Sequence, residues 1–164
     1  MALKGLTRCD WWICYDTPNH IHDHAREAFL KLRPTIVTNK ERVKGWEKWL
    51  KNLGIPHFEW PAIEIADDGP TWLRVAIKSG PRYSSTMAIS WAVRRRFSHV
   101  YFVGCDLGGF GYHDACATDS IRSAAKGREA KWIKRWAGER SLMTRSRDAC
   151  EKNGVKLMNL PPGV

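Results

Sequence analysis

No stretch of this 164-residue chain stays apolar long enough to cross a bilayer, and its opening, MALKGLTRCD, lacks the apolar core of a secretory signal. The expectation is a protein that stays in the cytoplasm, with no membrane partner. Cysteine is sparse. The five residues, Cys9, Cys14, Cys105, Cys116 and Cys150, are odd in number and scattered, which excludes a disulfide framework and points to reduced thiols. No two of them stand at C-x-x-C spacing, so a structural zinc site of that kind is disfavoured. Acidic residues are few as well: Asp and Glu number 17 against 27 Lys and Arg, for a net charge of +10. Such a surplus suits anionic partners, among them nucleotides, nucleic acid and phosphorylated sugars.

What is present is enough for a core. Hydrophobic residues make up 43% and aromatics 11%, with nine tryptophans, so wholesale disorder is excluded and a single domain over 1–164 is expected. Trp11 to Tyr15 is a short apolar run that reads as a strand buried on both faces. His20 to Leu32 reads as a helix, and Thr35 to Thr38 as a second strand. Asn39 can cap a helix carrying Val43, Trp46, Trp49, Leu50 and Leu53, with Gly54 as its stop. His57 to Trp60 is a third strand candidate. Pro61 to Pro81 reads as loop, with a short helix around Trp72 to Ile77. Ser84-Ser85-Thr86 opens the next helix, and His99 leads into Val100 to Val103, the clearest buried strand in the chain. A basic helix over about Ser123 to Asn153, broken near Gly138, and a last strand over Val155 to Asn159 complete the pattern. Strands alternating with helices predict one Rossmann-like α/β domain, a mostly parallel sheet flanked by helices.

In such sheets ligands bind beyond the carboxyl ends of the strands. That rule singles out Asp16, Asn159 and above all the loop Gly104-Cys105-Asp106-Leu107-Gly108-Gly109-Phe110-Gly111-Tyr112-His113. Its glycines permit close backbone approach and leave amides facing an anion. Asp106 can bind a ribose hydroxyl or act as a base, and Tyr112 and His113 can bond a phosphate and move a proton. The loop is neither of the common nucleotide loops. A Walker loop needs Lys-Ser or Lys-Thr after its second glycine, and the dinucleotide pattern needs a glycine where Asp114 stands. Ser84, Ser85 and Thr86 offer hydroxyls and free amides at a helix start, a place for a phosphate or a sugar hydroxyl, or simple caps.

Two further clusters have plainer readings. His20, His22 and His24 lack the glutamate of a zinc-helix motif and read as a solvated helix start, so no metal is expected. Along the basic helix, Trp132, Ile133, Trp136, Ala137 and Met143 make a core-facing stripe. Lys131, Lys134, Arg135, Arg145 and Arg147 are left outward, joined by Arg94-Arg95-Arg96. This basic surface allows weak, non-specific nucleic-acid contact, with no groove-reading motif beside it.

The succession Tyr83-Ser84-Ser85-Thr86, helix, strand, then Gly104-Cys105-Asp106 resembles the nucleotide-binding half of bacterial sialyltransferases of glycosyltransferase family 42. It also resembles the motility-accessory-factor proteins and their phage-encoded relatives. Asp10-Trp11-Trp12 leading to Asp16, a histidine soon after Gly-x-Asp, and the closing Gly154-Val155, Asn159 and Pro162-Gly163 resemble the phage members most. The resemblance implies a Rossmann-like fold, a phage-encoded protein working in the bacterial cytoplasm, and a CMP-sugar donor held by Ser84, Ser85, Thr86, Gly104 and Asp106. The expected function is a nucleotide or nucleotide-sugar binding protein, glycosyltransferase-like if active. His113 or Asp106 would then be the base, Gly108, Gly109 and Tyr112 would stand at the ligand, and no cofactor is required. The family's opening Gly-Asn-Gly-Pro-Ser-like loop has no counterpart here. One alternative, a non-catalytic binder that sequesters a nucleotide, is consistent with that. A nucleic-acid-associated accessory protein is the other alternative, and homo-oligomerisation stays open.

Overall fold

The computed structural model describes residues 7–16, 18, 23–66, 69–78, 83–103 and 129–160. Among these the fold is mixed α/β, with five helices and two small parallel sheets. The chain divides into two compact units, one holding residues 2–69 and 80–91, the other 70–79 and 92–164.

The first unit is built on strands β1 (Trp11–Ile13), β2 (Thr35–Thr38) and β3 (Ile63–Ile65), in the order β1-β2-β3. All pairings are parallel, with Trp12 opposite Ile36 and Val37 opposite Glu64. Helix α1 (Asp23–Leu32) connects β1 to β2, and helix α2 (Val43–Asn52) connects β2 to β3. Its core is aromatic: Phe29 of α1, Ile36 of β2, Trp46 and Leu50 of α2, and Trp60 are all buried. Asn39 does cap, but its side chain accepts the Arg42 N–H and so closes a 3-10 turn, Lys40–Arg42, ahead of α2. Gly54 stops α2 at φ +72°, with the Ile55 N–H on the Leu50 carbonyl and the Gly54 N–H on the Lys51 carbonyl. That pair of bonds is a Schellman closure, which needs the left-handed backbone that glycine adopts without steric cost.

The third strand is Ile63–Ile65 rather than His57 to Trp60. His57–Glu59 instead forms a 3-10 turn, closed by the Glu59 N–H on the Pro56 carbonyl at 2.9 Å. Trp60 is recruited to the core, its indole N–H on the Pro34 carbonyl at 2.9 Å and its ring stacked on Phe29. An aromatic tethered this way cannot alternate along a strand face. β1 is not buried on both faces either. It lies at the edge of its sheet, and Trp11 is 40% exposed.

The second unit pairs β4 (His99–Val103) with β5 (Lys156–Leu160), in parallel, with helices α3 (Thr71–Ile77) and α5 (Glu129–Lys152) packed on each other and α5 on β5. Helix α4 (Ser84–Arg94) begins in the first unit and ends in the second. β4 was expected to be the clearest buried strand in the chain, but Tyr101 is 53% exposed and its register partner Met158 is also exposed. Val100 and Leu157, one residue back, are the more buried pair. A two-stranded sheet with a helix on it covers only alternate residues.

Helix α5 runs unbroken through Gly138, because one exposed glycine costs only about 1 kcal/mol in a helix interior. Its buried face is Glu139, Leu142, Ser146 and Cys150, spaced at three to four residues. Ala137, placed in the core stripe by sequence, is exposed, and Arg145, placed outward, is half-buried. The side chains of Lys131, Trp132, Ile133, Arg135 and Trp136 lie outside those described.

Candidate functional sites at the carboxyl ends of the strands

In the first unit the strand ends and the start of α4 meet. The Tyr15 N–H donates to Ser84 Oγ at 3.0 Å, which makes Ser84 a neighbour of exposed Asp16. One strand over, Thr38 Oγ1 donates to the Cys14 carbonyl at 2.9 Å, and the Ala66 N–H reaches the Thr38 carbonyl at 2.7 Å. Cys14 sits at this rim. Burial pushes its thiol above the ordinary range, the Asp16 carboxylate adds a smaller push, and Sγ donates to the Asp16 carbonyl at 3.6 Å. Thr86 is 1% exposed, and its hydroxyl donates to the Tyr83 carbonyl at 3.0 Å while accepting from the Tyr83 N–H at 3.3 Å. It therefore closes the first turn of α4. Ser85 is half-buried. Of the sequence-predicted hydroxyls, Ser84 is the one brought to the strand ends.

In the second unit a cavity of about 330 Å³ is lined by Phe102, Met143, Thr144, Arg147, Leu157, Met158 and Asn159. Phe102 and Asn159 are opposite each other in the β4–β5 register, near the carboxyl ends of both strands. Thr144 and Arg147, three residues apart on α5, bring a hydroxyl and a guanidinium to it. Thr144 Oγ1 also donates to the Arg140 carbonyl at 3.0 Å, and Arg147 pairs with Asp148 at 3.1 Å, both ends of the pair about half exposed. Asn159 was legible from its place at a strand end. Thr144 was missed, and Arg147 was read only as basic surface. The available signal was the i, i+3 spacing, but which helix face met the strand ends depended on the buried stripe.

The loop residues Gly104, Asp106, Gly108, Gly109, Tyr112 and His113 lie outside the described residues, as do His20 and His22. Among the described residues no group of three or more His, Cys, Asp and Glu is placed to hold a metal ion. No described helix is long and apolar enough to cross a membrane.

No protein-family model matches the chain, nor does any curated protein or solved structure.

Chemically, the second-unit cavity offers a cation for a phosphate, an aromatic ring beside it, and an amide and a hydroxyl for a polar ring edge or sugar. Its volume is at the small end of the range usual for small-molecule sites.

Proposed function

We propose that this chain is a Rossmann-like α/β protein that binds a nucleotide or nucleotide sugar at the carboxyl ends of β4 and β5. One observation carries the reading. Arg147, Thr144, Phe102 and Asn159 line one cavity there, and in sequence Val103 of β4 runs directly into Gly104-Cys105-Asp106. A guanidinium matches phosphate in charge and in donor geometry. The parallel strand–helix–strand connections within each unit are the pieces from which doubly wound nucleotide-binding sheets are made.

The activity that fits is glycosyl transfer. His113, with Asp106 as the other candidate base, takes the proton of an acceptor hydroxyl as that oxygen bonds to the anomeric carbon of the donor. The bond from that carbon to the phosphate oxygen breaks, and the nucleotide leaves with the electron pair, stabilised by glycine-loop amides.

The test is calorimetry with CMP, UMP, GMP and AMP and their sugar conjugates, followed by the variants Arg147→Ala and Asp106→Ala. One base is expected to bind, and each variant to weaken it by about 1.5–3 kcal/mol, roughly ten- to a hundredfold. Absence of binding by every nucleotide at millimolar concentration overturns the reading. Tight binding without turnover of any donor assigns sequestration in place of transfer.

A further inference from the structure

The outward face of α2 is a different kind of surface. Its buried positions, Trp46 and Leu50, face the aromatic core, and Lys44, Lys48 and Lys51 stand on the opposite side at spacings of four and three residues. Successive lysines are thus neighbours on one stripe, about 10 Å long from first to last. They line an open groove of about 610 Å³ with Glu47, Gly54, Ile55 and Pro56. Glu47 lies toward the flank of the stripe, and among the described residues no ion pair ties it to any of the three lysines. Beyond Pro56, the turn His57–Glu59 presents Phe58 at 76% exposure. The structure therefore lays a row of cations along a groove and sets a largely exposed aromatic ring two residues past its end.

We infer that the Lys44–Lys48–Lys51 groove with Phe58 is a binding surface for single-stranded nucleic acid, independent of the nucleotide site proposed above. A row of cations suits the regularly spaced phosphates of a strand better than it suits one small anion. An exposed ring beside such a row is a stacking platform that takes any base and that a duplex, with its bases already stacked, cannot use. No base-reading constellation accompanies the lysines, so binding is sequence-tolerant.

The experiment is fluorescence anisotropy of the full chain with labelled dT20, a blunt duplex of equal length as competitor, and sedimentation with phosphatidylserine–phosphatidylcholine vesicles. The single strand binds with Kd in the range of about 10⁻⁴–10⁻⁶ M, and three phosphate contacts give a log K against log salt slope of about −2. Affinity then falls roughly twentyfold between 50 and 200 mM salt. The triple variant Lys44→Gln, Lys48→Gln, Lys51→Gln reduces affinity at least about tenfold and flattens the slope, and Phe58→Ala reduces it at least about fivefold. Both leave Tm unchanged, since the side chains are exposed. Lys134→Gln, Lys152→Gln, Lys156→Gln removes the same charge from the other unit and serves as the control for net charge.

Equal weakening by the control triple, or none by the α2 triple, overturns the assignment. Duplex binding as tight as dT20 with no effect of Phe58→Ala overturns the single-strand reading. Vesicle binding that depends on Phe58, without binding of dT20, makes the surface a membrane contact and overturns it too.

Discussion

Replacing Phe29 by alanine should be the most damaging single change in the first unit. The ring is 0% exposed and meets four tryptophans, with centroids at 5.3 Å from Trp12, 6.1 Å from Trp46, 5.7 Å from Trp49 and 5.2 Å from Trp60. Phe-to-Ala truncations in cores cost about 3–5 kcal/mol, and the value within that range depends on how far the surroundings collapse. Collapse is restricted here. Trp60 is held by its indole bond to the Pro34 carbonyl, while Trp46 and Trp49 are fixed on α2. The expected loss is therefore in the upper part of the range, against a total stability of about 5–15 kcal/mol for a typical protein. With an m-value of about 2 kcal/mol/M in urea, the midpoint should fall by about 2–2.5 M. Urea titration followed by tryptophan fluorescence reads this directly, because four of the reporters surround the vacated space. Phe29→Leu separates the contributions: it keeps most of the apolar volume and gives up only the ring pairs, worth about 0.5–1.5 kcal/mol each. A loss below about 1.5 kcal/mol for Phe29→Ala would refute the packing argument, since it would mean that the tryptophans close over the gap unhindered.

Two further outcomes follow from single side chains. Thr86→Val removes both bonds to Tyr83 and should lower stability by about 1–2 kcal/mol in urea titration, with mononucleotide affinity changed less than twofold. A tenfold loss of affinity at unchanged stability would instead make Thr86 a ligand contact. The Cys150 thiol is 0% exposed, and burial, with a smaller push from the Glu151 carboxylate, raises it to about 11. Its native pKa lies above the unfolded value of about 8.5, so the stability it contributes is complete below pH 8 and drains away as pH rises through 11. Mass mapping after iodoacetamide at pH 8 should find Cys9 alkylated and Cys150 intact in the native protein, and equal labelling of the two would contradict the burial.

Local signals carried most of the elements. Gly54 and Gly154 were legible as helix stops because only the left-handed backbone permits that closure cheaply, and φ is +72° and +76° there. Ser84 was legible as a helix start, and the apolar runs of β2, β4 and β5 as parallel strands. Asn159 was legible as a strand-end residue by topology alone, whereas only the bond from the Tyr15 N–H shows that Ser84 stands at the strand ends. The failures share one cause. Whether Trp60 extends a strand or plugs a core depends on a carbonyl at Pro34, 26 positions earlier in the chain. Whether β4 is covered on both faces depends on how many neighbours it has, and the strand's own composition does not encode that number. The inward face of α5 includes Glu139 and Ser146, which no hydrophobic scale selects, and leaves out Ala137, which its apolar character had placed there. That orientation, set by packing against α3 and β5, is what carries Thr144 and Arg147 to the cavity with Asn159. Periodicity and capping are properties of a segment and can be read from it. The meeting of a helix face with a strand end belongs to the tertiary fold, because the free energy that selects it is shared among residues far apart in the chain.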